Sequence, residues 1–271
     1  MAFFLFDRAP RVALVRLSGL IAARPDPLSG GLNAAATGPL LDRAFGIKRL
    51  AAVMLVVNSP GGSPVQSSLI AQRIRRLSDE KKVPAIAVVE DAAASGGYWI
   101  ACAAEEIVAE PASILGSIGV ISAGFGFDQA IARLGVERRL RTAGAEKSFL
   151  DPFRPEREQD VARLEDLLGK LHEEFKAWVR ARRGDRLKAA QEALFTGRFW
   201  TGREAVELGL ADRLGDAEGE AKRRFGEKVK ILRLGPRKRP FPWRLVPGVR
   251  EGVEALSHTA EERAAWARLG L

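Results

Sequence analysis

Cysteine is nearly absent from this 271-residue chain, and the lone Cys102 excludes both an internal disulfide framework and a cysteine cluster for a metal. Stability must then come from an ordinary core. A chain of this length with 46% hydrophobic residues can bury roughly 70–75% of its unfolded surface, enough for one large domain or one domain with an appendage. Long apolar runs are missing too. The start, "MAFFLFDRAPRVALVRL", reaches charge at Asp7, Arg8 and Arg11, short of the about 18–20 uninterrupted apolar residues of a spanning helix. It also lacks the basic-then-apolar order of a secretory leader. With neither signal peptide nor transmembrane helix, the expected location is the cytoplasm. Histidine is as scarce: only His172 and His258 are present, neither in a glycine-rich turn, which leaves a Ser-His-Asp triad little to draw on. "HEEFK" carries Lys176 where the second histidine of a zinc H-E-x-x-H motif would stand.

Positive charge is in excess, at +9, and it is unevenly placed. From Ala221 to Leu271 there are 13 Lys/Arg against 5 Glu, a net +8. This end includes "PRKRPFPWRLVPG", with four prolines from Pro236 to Pro247, and reads as a linker or extended tail. We therefore divide the chain into a domain over 1–235 and a basic, Pro-rich tail over 236–271. The tail reads either as a solvated end or as a patch for anionic lipid head groups, with Phe241 and Trp243 as interfacial anchors. No recognition-helix, RNP or zinc-finger pattern accompanies the charge, so nucleic acid is not an expected partner.

Three β-branched-rich runs, "RVALVRL" (11–17), "AAVMLVVN" (51–58) and "PAIAVVE" (84–90), read as buried strands. Between the last two, Ser63 can cap a helix, Pro64 suits its first turn, and Ile70, Ile74 and Leu77 recur at helical spacing. Strand, helix, strand at this interval indicates a parallel α/β unit. A longer helix is expected from about Pro155 to Arg183, with Val161, Leu164, Leu168, Leu171, Phe175 and Trp178 on one face and Gly184 ending it.

The segment "EDAAASGGYWIACAAEEIVA" (90–109) sets one hydroxyl, Ser95, among alanines and directly before two glycines. Small neighbours and glycines are what a nucleophile at a tight turn needs, because backbone must approach the substrate carbonyl closely. Other chemistry-bearing patterns fail. "GFGFDQ" has Gln129 in place of a third glycine, "GAEKS" has Glu146 before its lysine where a phosphate loop differs, and the Ser78/Lys81 pair falls in a charged helix end. With histidine scarce, the base candidates for Ser95 are lysine and carboxylates. A lysine can serve only when neutral, and burial lowers lysine from ~10.4 towards ~7–8 at a cost of roughly 4 kcal/mol. Lys147, in "RTAGAEKSFLDPF", has Gly144, Ala145, Phe149, Leu150 and Phe153 around it. On these residues alone it also reads as a surface-loop lysine.

The segments "LVVNSPGGSPVQSS", "AASGGYWIACAAEEIVAEPASILGSIGVI", "AGAEKSFLDPF" and "FTGRFWTGREAVELGLADRLG" stand in this order. Together, across about residues 11–216, they resemble the signal peptide peptidase family of serine proteases in its single-domain form. The resemblance implies a Ser/Lys dyad. The serine of the family's A-S-G-G-Y segment falls on Ser95 and the lysine of its G-x-x-K-S segment on Lys147. It implies an α/β fold, the Clp protease/crotonase-like spiral of parallel strands and helices. The Gly96 N–H would face the developing oxyanion, joined by that of Gly61 or Gly62, since Pro60 has none to donate. The Ser117 hydroxyl would orient the lysine amine, with a plain turn serine as the other reading.

The implied activity is that of a serine endopeptidase acting on hydrophobic peptides, such as signal-peptide remnants or membrane-derived segments, with no cofactor and no metal. A ring-forming homo-oligomer is implied as well. Peripheral contact with an anionic inner-membrane surface follows only from the lipid-patch reading of the tail, not from the resemblance. Two rival readings stay open: a crotonase-like acyl-CoA hydratase or isomerase, for which no coenzyme A site is found, and a non-catalytic membrane-surface scaffold.

Overall fold

Parallel strands flanked by helices are hidden on both faces and read as continuous apolar runs. That pattern is met in β1 (Arg11–Ser18), β2 (Leu50–Ser59) and β3 (Ala85–Ala94). The structure is a computed structural model describing residues 9–24, 31–144, 146–235 and 262–271. Within it the chain forms two compact units, one of residues up to Ile118 and from Lys176 onward, the other Gly119–Phe175.

In the first unit, α1 (Ala34–Phe45) and α2 (Pro64–Lys81) follow β1 and β2. Asn33 caps α1 by accepting from the Ala36 N–H at 2.7 Å. Ser63 caps α2 through Gln66, with Pro64 in the first turn and Ile70, Ile74 and Leu77 buried. After β3 come α3 (Gly96–Ala101), β4 (Glu106–Ala109) and β5 (Ile114–Gly116). Beyond the second unit lie β6 (Phe199–Thr201), β7 (Arg213–Leu214) and β8 (Lys230–Leu234). The sheet runs β6-β5-β3-β2-β1-β8, with β4 pairing β3 and β7. These pairings are parallel except β5 with β6.

The third strand changes partner along its length. Ile86–Val89 pair with β4, whereas Ala92–Ala94 pair with β5. On the β2 side the register slips: Val57 faces Val89, but Ser59 faces Ala93. Asn58 fastens the bend, its side-chain amide donating to Asp91 at 2.5 Å and its carbonyl oxygen accepting from the Ala92 N–H at 3.2 Å. Such a bulge re-aims the strand. Here it opens a point, between β4 and β5, at which the C-terminal end of β3 emerges beside that of β2. In open α/β sheets, ligands bind beyond the carboxyl ends of strands at points where the order changes.

The second unit contains α4 (Asp128–Arg133) and residues 158–175 of α5 (Glu158–Arg183), whose last turns belong to the first unit. The helix starts three residues later than the expected Pro155, because the Arg157 carbonyl accepts from both Asp160 and Val161 and so caps it. Among the described residues of this unit, only Asp160 and Phe175 are buried. The Pro-rich segment 236–247, with Phe241 and Trp243, lies outside the described residues. Residues 262–267 are helical. Among the described residues, no helix is long and apolar enough to cross a membrane, and no group of His, Cys, Asp and Glu is arranged to hold a metal.

Candidate active site

Ser95 sits at the turn from β3 into α3 with φ 50° and ψ −119°. This is the conformation of the first central residue of a type II′ turn, in which a side chain is uncommon. Three contacts impose it. The Ser95 N–H donates to the Gly116 carbonyl at 2.8 Å, its carbonyl accepts from Trp99 at 3.0 Å, and the helix that follows is wholly buried. From Ala92 to Ala104, Ser95 is the one residue that is not buried. Although Ser95 is the N-cap of α3, its side chain makes no capping bond. The hydroxyl is thus left for other chemistry.

The glycines flanking this turn interlock with those after β2. A methyl group on Gly61 would lie 2.8 Å from the Ala94 carbonyl, the Gly96 nitrogen and the Ser95 Cβ. One on Gly97 would lie 2.6 Å from the Ser59 carbonyl, and one on Gly96 would overlap the Ser67 hydroxyl. Gly61 and Gly62 have φ of 104° and 135°, where L side chains are rare. The Gly61 N–H donates to Ser59 Oγ at 3.2 Å. Among the described residues, the Gly62 and Gly96 N–H groups have no acceptor. The two amides are close neighbours, since a Cβ on Gly96 would be 3.4 Å from the Gly62 nitrogen.

Ser117 mirrors Ser95 one strand over. It follows β5, has φ 51° and is half-exposed, and its N–H donates to the Arg198 carbonyl at 2.7 Å. Gly61, Gly62, Ser95, Gly96 and Ser117 are therefore all brought to strand ends of the first unit.

Lys147 belongs to the second unit, where it is exposed in a turn, its N–H donating to the Gly144 carbonyl at 3.3 Å. The first turns of α5 hold this segment. Arg163 pairs with Glu146 on one side of Lys147 and lies over the Phe149 ring, 5.0 Å from its centroid, on the other. Leu150, at φ 48°, donates its N–H to Asp160 at 3.4 Å. Hydrogen bonds from the Arg157 guanidinium hold the Asp160 carboxyl below the usual range. An open groove of ≈ 1100 Å³ in the same unit is lined by residues that include Phe125, Phe127, Leu150 and Pro152.

Beneath the serine turn, α3 is fixed from behind. The buried Tyr98 hydroxyl donates to the Leu210 carbonyl at 2.8 Å. The buried Arg183 guanidinium donates to the Gly209 carbonyl and to Asp212 at 2.7–3.0 Å. Burial pushes the Cys102 thiol up to about 11, which argues against a thiolate nucleophile. Sequence reasoning missed Asn58, Ser59 and Ser67. Their only signal was position, two of them inside "NSPGG" and the third at a helical interval from the cap Ser63.

The sequence profile of Peptidase family S49 matches residues 77–231, more than half of the chain. Two Brucella proteins, from B. abortus and B. melitensis, each named Na(+)/H(+) antiporter NhaA, are 44% identical over 273 residues, or 96% of this chain and 37% of theirs. The chloroplastic serine protease SPPA of Arabidopsis thaliana is 29% identical, covering 83% of this chain and 34% of that protein. Protease 4 of Haemophilus influenzae is 32% identical over 76% of this chain and 33% of its own. The chain thus spans about a third of the length of these relatives. Among solved structures, two mutants of the 1510-N membrane-bound stomatin-specific protease share the fold. The serine-to-alanine mutant superposes with a TM-score of 0.52 at 17% identity, covering 84% of this chain and 99% of that one. The lysine-to-alanine mutant, in complex with a substrate peptide, gives 0.53 at 15% identity over 93% and 99%. The fold is the mostly parallel spiral of the Clp protease and crotonases.

Proposed function

Because the chain belongs to Peptidase family S49, we propose that it is a serine endopeptidase with Ser95 as nucleophile and Lys147 as general base. The observation that carries this reading is the Ser95 turn: a half-exposed hydroxyl in a conformation side chains seldom adopt, next to two amides without internal acceptors. The neutral amine of Lys147 removes the Ser95 proton as Oγ attacks the peptide carbonyl. The carbonyl oxygen takes up the electron pair and is held by the Gly62 and Gly96 N–H groups, and the lysine returns the proton to the departing amine. Water then releases the acyl group by the same route reversed. Ser117 is the group assigned to orient the amine. Gly61 is the weaker donor candidate, because its N–H is engaged by Ser59.

The substrates proposed are peptides with apolar segments, including signal-peptide remnants. Phe125, Phe127 and Leu164 in the ≈ 1100 Å³ groove support contact with apolar residues, beside charged groups that include Asp128, Arg154 and Glu156. Large exposed apolar residues in the second unit outside the groove, Ile121, Leu134 and Val136, support a homo-oligomer in which a second copy covers them.

A fluorophosphonate probe tests the assignment. It should label the wild type on the peptide containing Ser95, and Ser95→Ala should lose both labelling and peptidase activity, by about 10⁴-fold or more. Lys147→Arg, which keeps a cation that cannot deprotonate, should be as inactive. Activity retained by Lys147→Arg would remove Lys147 from the base role.

A further inference from the structure

We infer that Ser59 is a positioning residue of the oxyanion hole, selecting which of the two glycines after it donates to the reacting carbonyl. This rests on the serine-peptidase reading above and extends it to a residue that does not touch substrate.

Ser59 is the last residue of β2 and is completely buried. Its hydroxyl does two things at once. It donates to the Gly19 carbonyl, 2.7 Å away just past the end of β1, and it accepts from the Gly61 N–H at 3.2 Å. The Gly19 N–H in turn donates to the Asn58 carbonyl at 3.0 Å, so the ends of β1 and β2 are cross-tied. A hydroxyl has one proton to give. With that proton on Gly19, the oxygen's remaining capacity is directed at Gly61.

The consequence falls on the next residue. Pro60 has no N–H, and Gly61 turns its N–H inward to Ser59. The Gly61 carbonyl accepts from Ile21 at 2.8 Å, and the Ile21 carbonyl accepts from Ser63 at 2.7 Å. The turn is thus pinned on either side of Gly62, whose N–H is the amide left over, beside that of Gly96. Gly97 packs against Ser59 from the nucleophile side, leaving no room for either segment to drift. Without the Ser59 oxygen, the Gly61 N–H loses a buried acceptor, and the turn has a reason to rotate so that Gly61 instead of Gly62 meets the open side. Such a rotation withdraws a donor from the oxyanion without changing any side chain that binds the rest of the substrate.

The test compares a tri-leucine peptide aldehyde with the matching peptide alcohol. The aldehyde forms a tetrahedral adduct with the serine oxygen and needs the hole; the alcohol forms no adduct and does not. In the wild-type protein the aldehyde should bind more tightly. Ser59→Ala should narrow the aldehyde-to-alcohol affinity ratio about 10–100-fold and lower kcat by a similar factor per titrated site, with KM changed by less than about 3-fold, since removing one oxyanion donor outright costs about 10²–10³. Ser59→Cys, which keeps a weak donor and acceptor in nearly the same volume, should fall between the two. It also serves where the alanine variant does not fold. A ratio unchanged in a folded Ser59 variant would overturn the positioning role. Equal binding of aldehyde and alcohol by the wild type would overturn the oxyanion hole itself, and a fully active Ser95→Ala would overturn Ser95 as the nucleophile on which this inference rests.

Discussion

The serine turn and the lysine turn are placed by different kinds of force. Around Ser95 the backbone is fixed by close packing: glycines whose missing side chains are filled by neighbouring main chain, and hydrogen bonds such as the buried one from the Gly61 N–H to Ser59. Around Lys147 the backbone is fixed by groups on the surface. The Glu146–Arg163 pair and the Arg163–Phe149 contact are open to solvent, and the nearby Arg138–Asp151 pair has an exposed arginine. Buried constraints resist solvent and salt, whereas exposed ion pairs contribute about 0–1 kcal/mol and are screened. One half of the proposed dyad is thus built into the core, and the other is tethered within reach of its own unit's surface.

Glycine substitutions break this comparison most sharply. A methyl group on Gly62 would overlap the Ile21 carbonyl, which is main chain and cannot step aside. Gly62→Ala should therefore lose more than about 3 kcal/mol. Gly144, three residues before Lys147, has φ 98° but open space where a methyl group would stand. Gly144→Ala should cost only its backbone strain, about 1–2 kcal/mol. Urea unfolding of the two variants measures both, and equal losses would show that the lysine turn is as tightly packed as the serine turn.

Behind the serine turn the packing depends on one buried ion pair. Burial alone would raise the Asp212 carboxyl, but the Arg183 guanidinium and the Ile107 N–H outweigh it and hold the group below the usual carboxylate range. A depressed folded-state pKa stabilises the native chain above the unfolded value of about 3.9, and the contribution is lost as pH falls from there through the folded value. Asp212→Ala would strand Arg183, whose side chain is 2% exposed, and should cost about 3–5 kcal/mol at neutral pH. Thermal unfolding from pH 7 to pH 3 should show the wild type losing stability below about pH 4 and the variant showing less of that slope.

The parallel core was legible because its strands carry runs such as "AAVMLVVN" that need no partner information to be read. The caps Ser63 and Pro64 were legible because capping is local. Ser95 stood out by composition, one hydroxyl among alanines and glycines. Ser59 did not, because its role depends on Gly19, 40 residues away, and a contact of that span leaves no trace in local pattern. The β3 bend was hidden for the same reason: "PAIAVVE" reads as a strand ending at Glu90, but β3 continues to Ala94 once Asn58 fastens the bulge. Lys147 gave only a weak signal, a lysine among apolar neighbours that reads equally as a surface-loop residue; the resemblance of four ordered motifs singled it out.

A smaller effect is expected where the lysine turn is tethered. Arg163 brackets Lys147 through Glu146 and Phe149, so Arg163→Ala should lower kcat by about 10-fold, or about 1.4 kcal/mol, while the melting temperature moves by less than about 2 °C. Wild-type activity should also fall modestly between low salt and about 1 M salt, and the Arg163 variant should have lost part of that dependence. An Arg163→Ala enzyme with unchanged kcat would mean that the lysine turn is held by something other than the tether.

The smallest expected change is a gain. Ser95 holds φ 50°, ψ −119°, a conformation whose cost for a side-chain-bearing residue is about 1–3 kcal/mol. The surrounding contacts, from Gly116 and Trp99, are made by main chain and do not depend on the hydroxyl. Glycine adopts this conformation freely, but it also gives the unfolded chain more freedom, which removes about 0.5–1 kcal/mol of the benefit. The net for Ser95→Gly should be a stabilisation of about 1 kcal/mol, a rise of about 2–4 °C in Tm for a domain of this size, in a protein with no peptidase activity. Ser95→Ala removes the same hydroxyl and keeps the Cβ, so its Tm should stay near the wild type. That pair of variants separates the chemistry of the hydroxyl from the conformation that presents it. If Ser95→Gly melts below Ser95→Ala, the turn at Ser95 carries no strain, and the core packing around it has not been arranged at the expense of stability to expose a nucleophile.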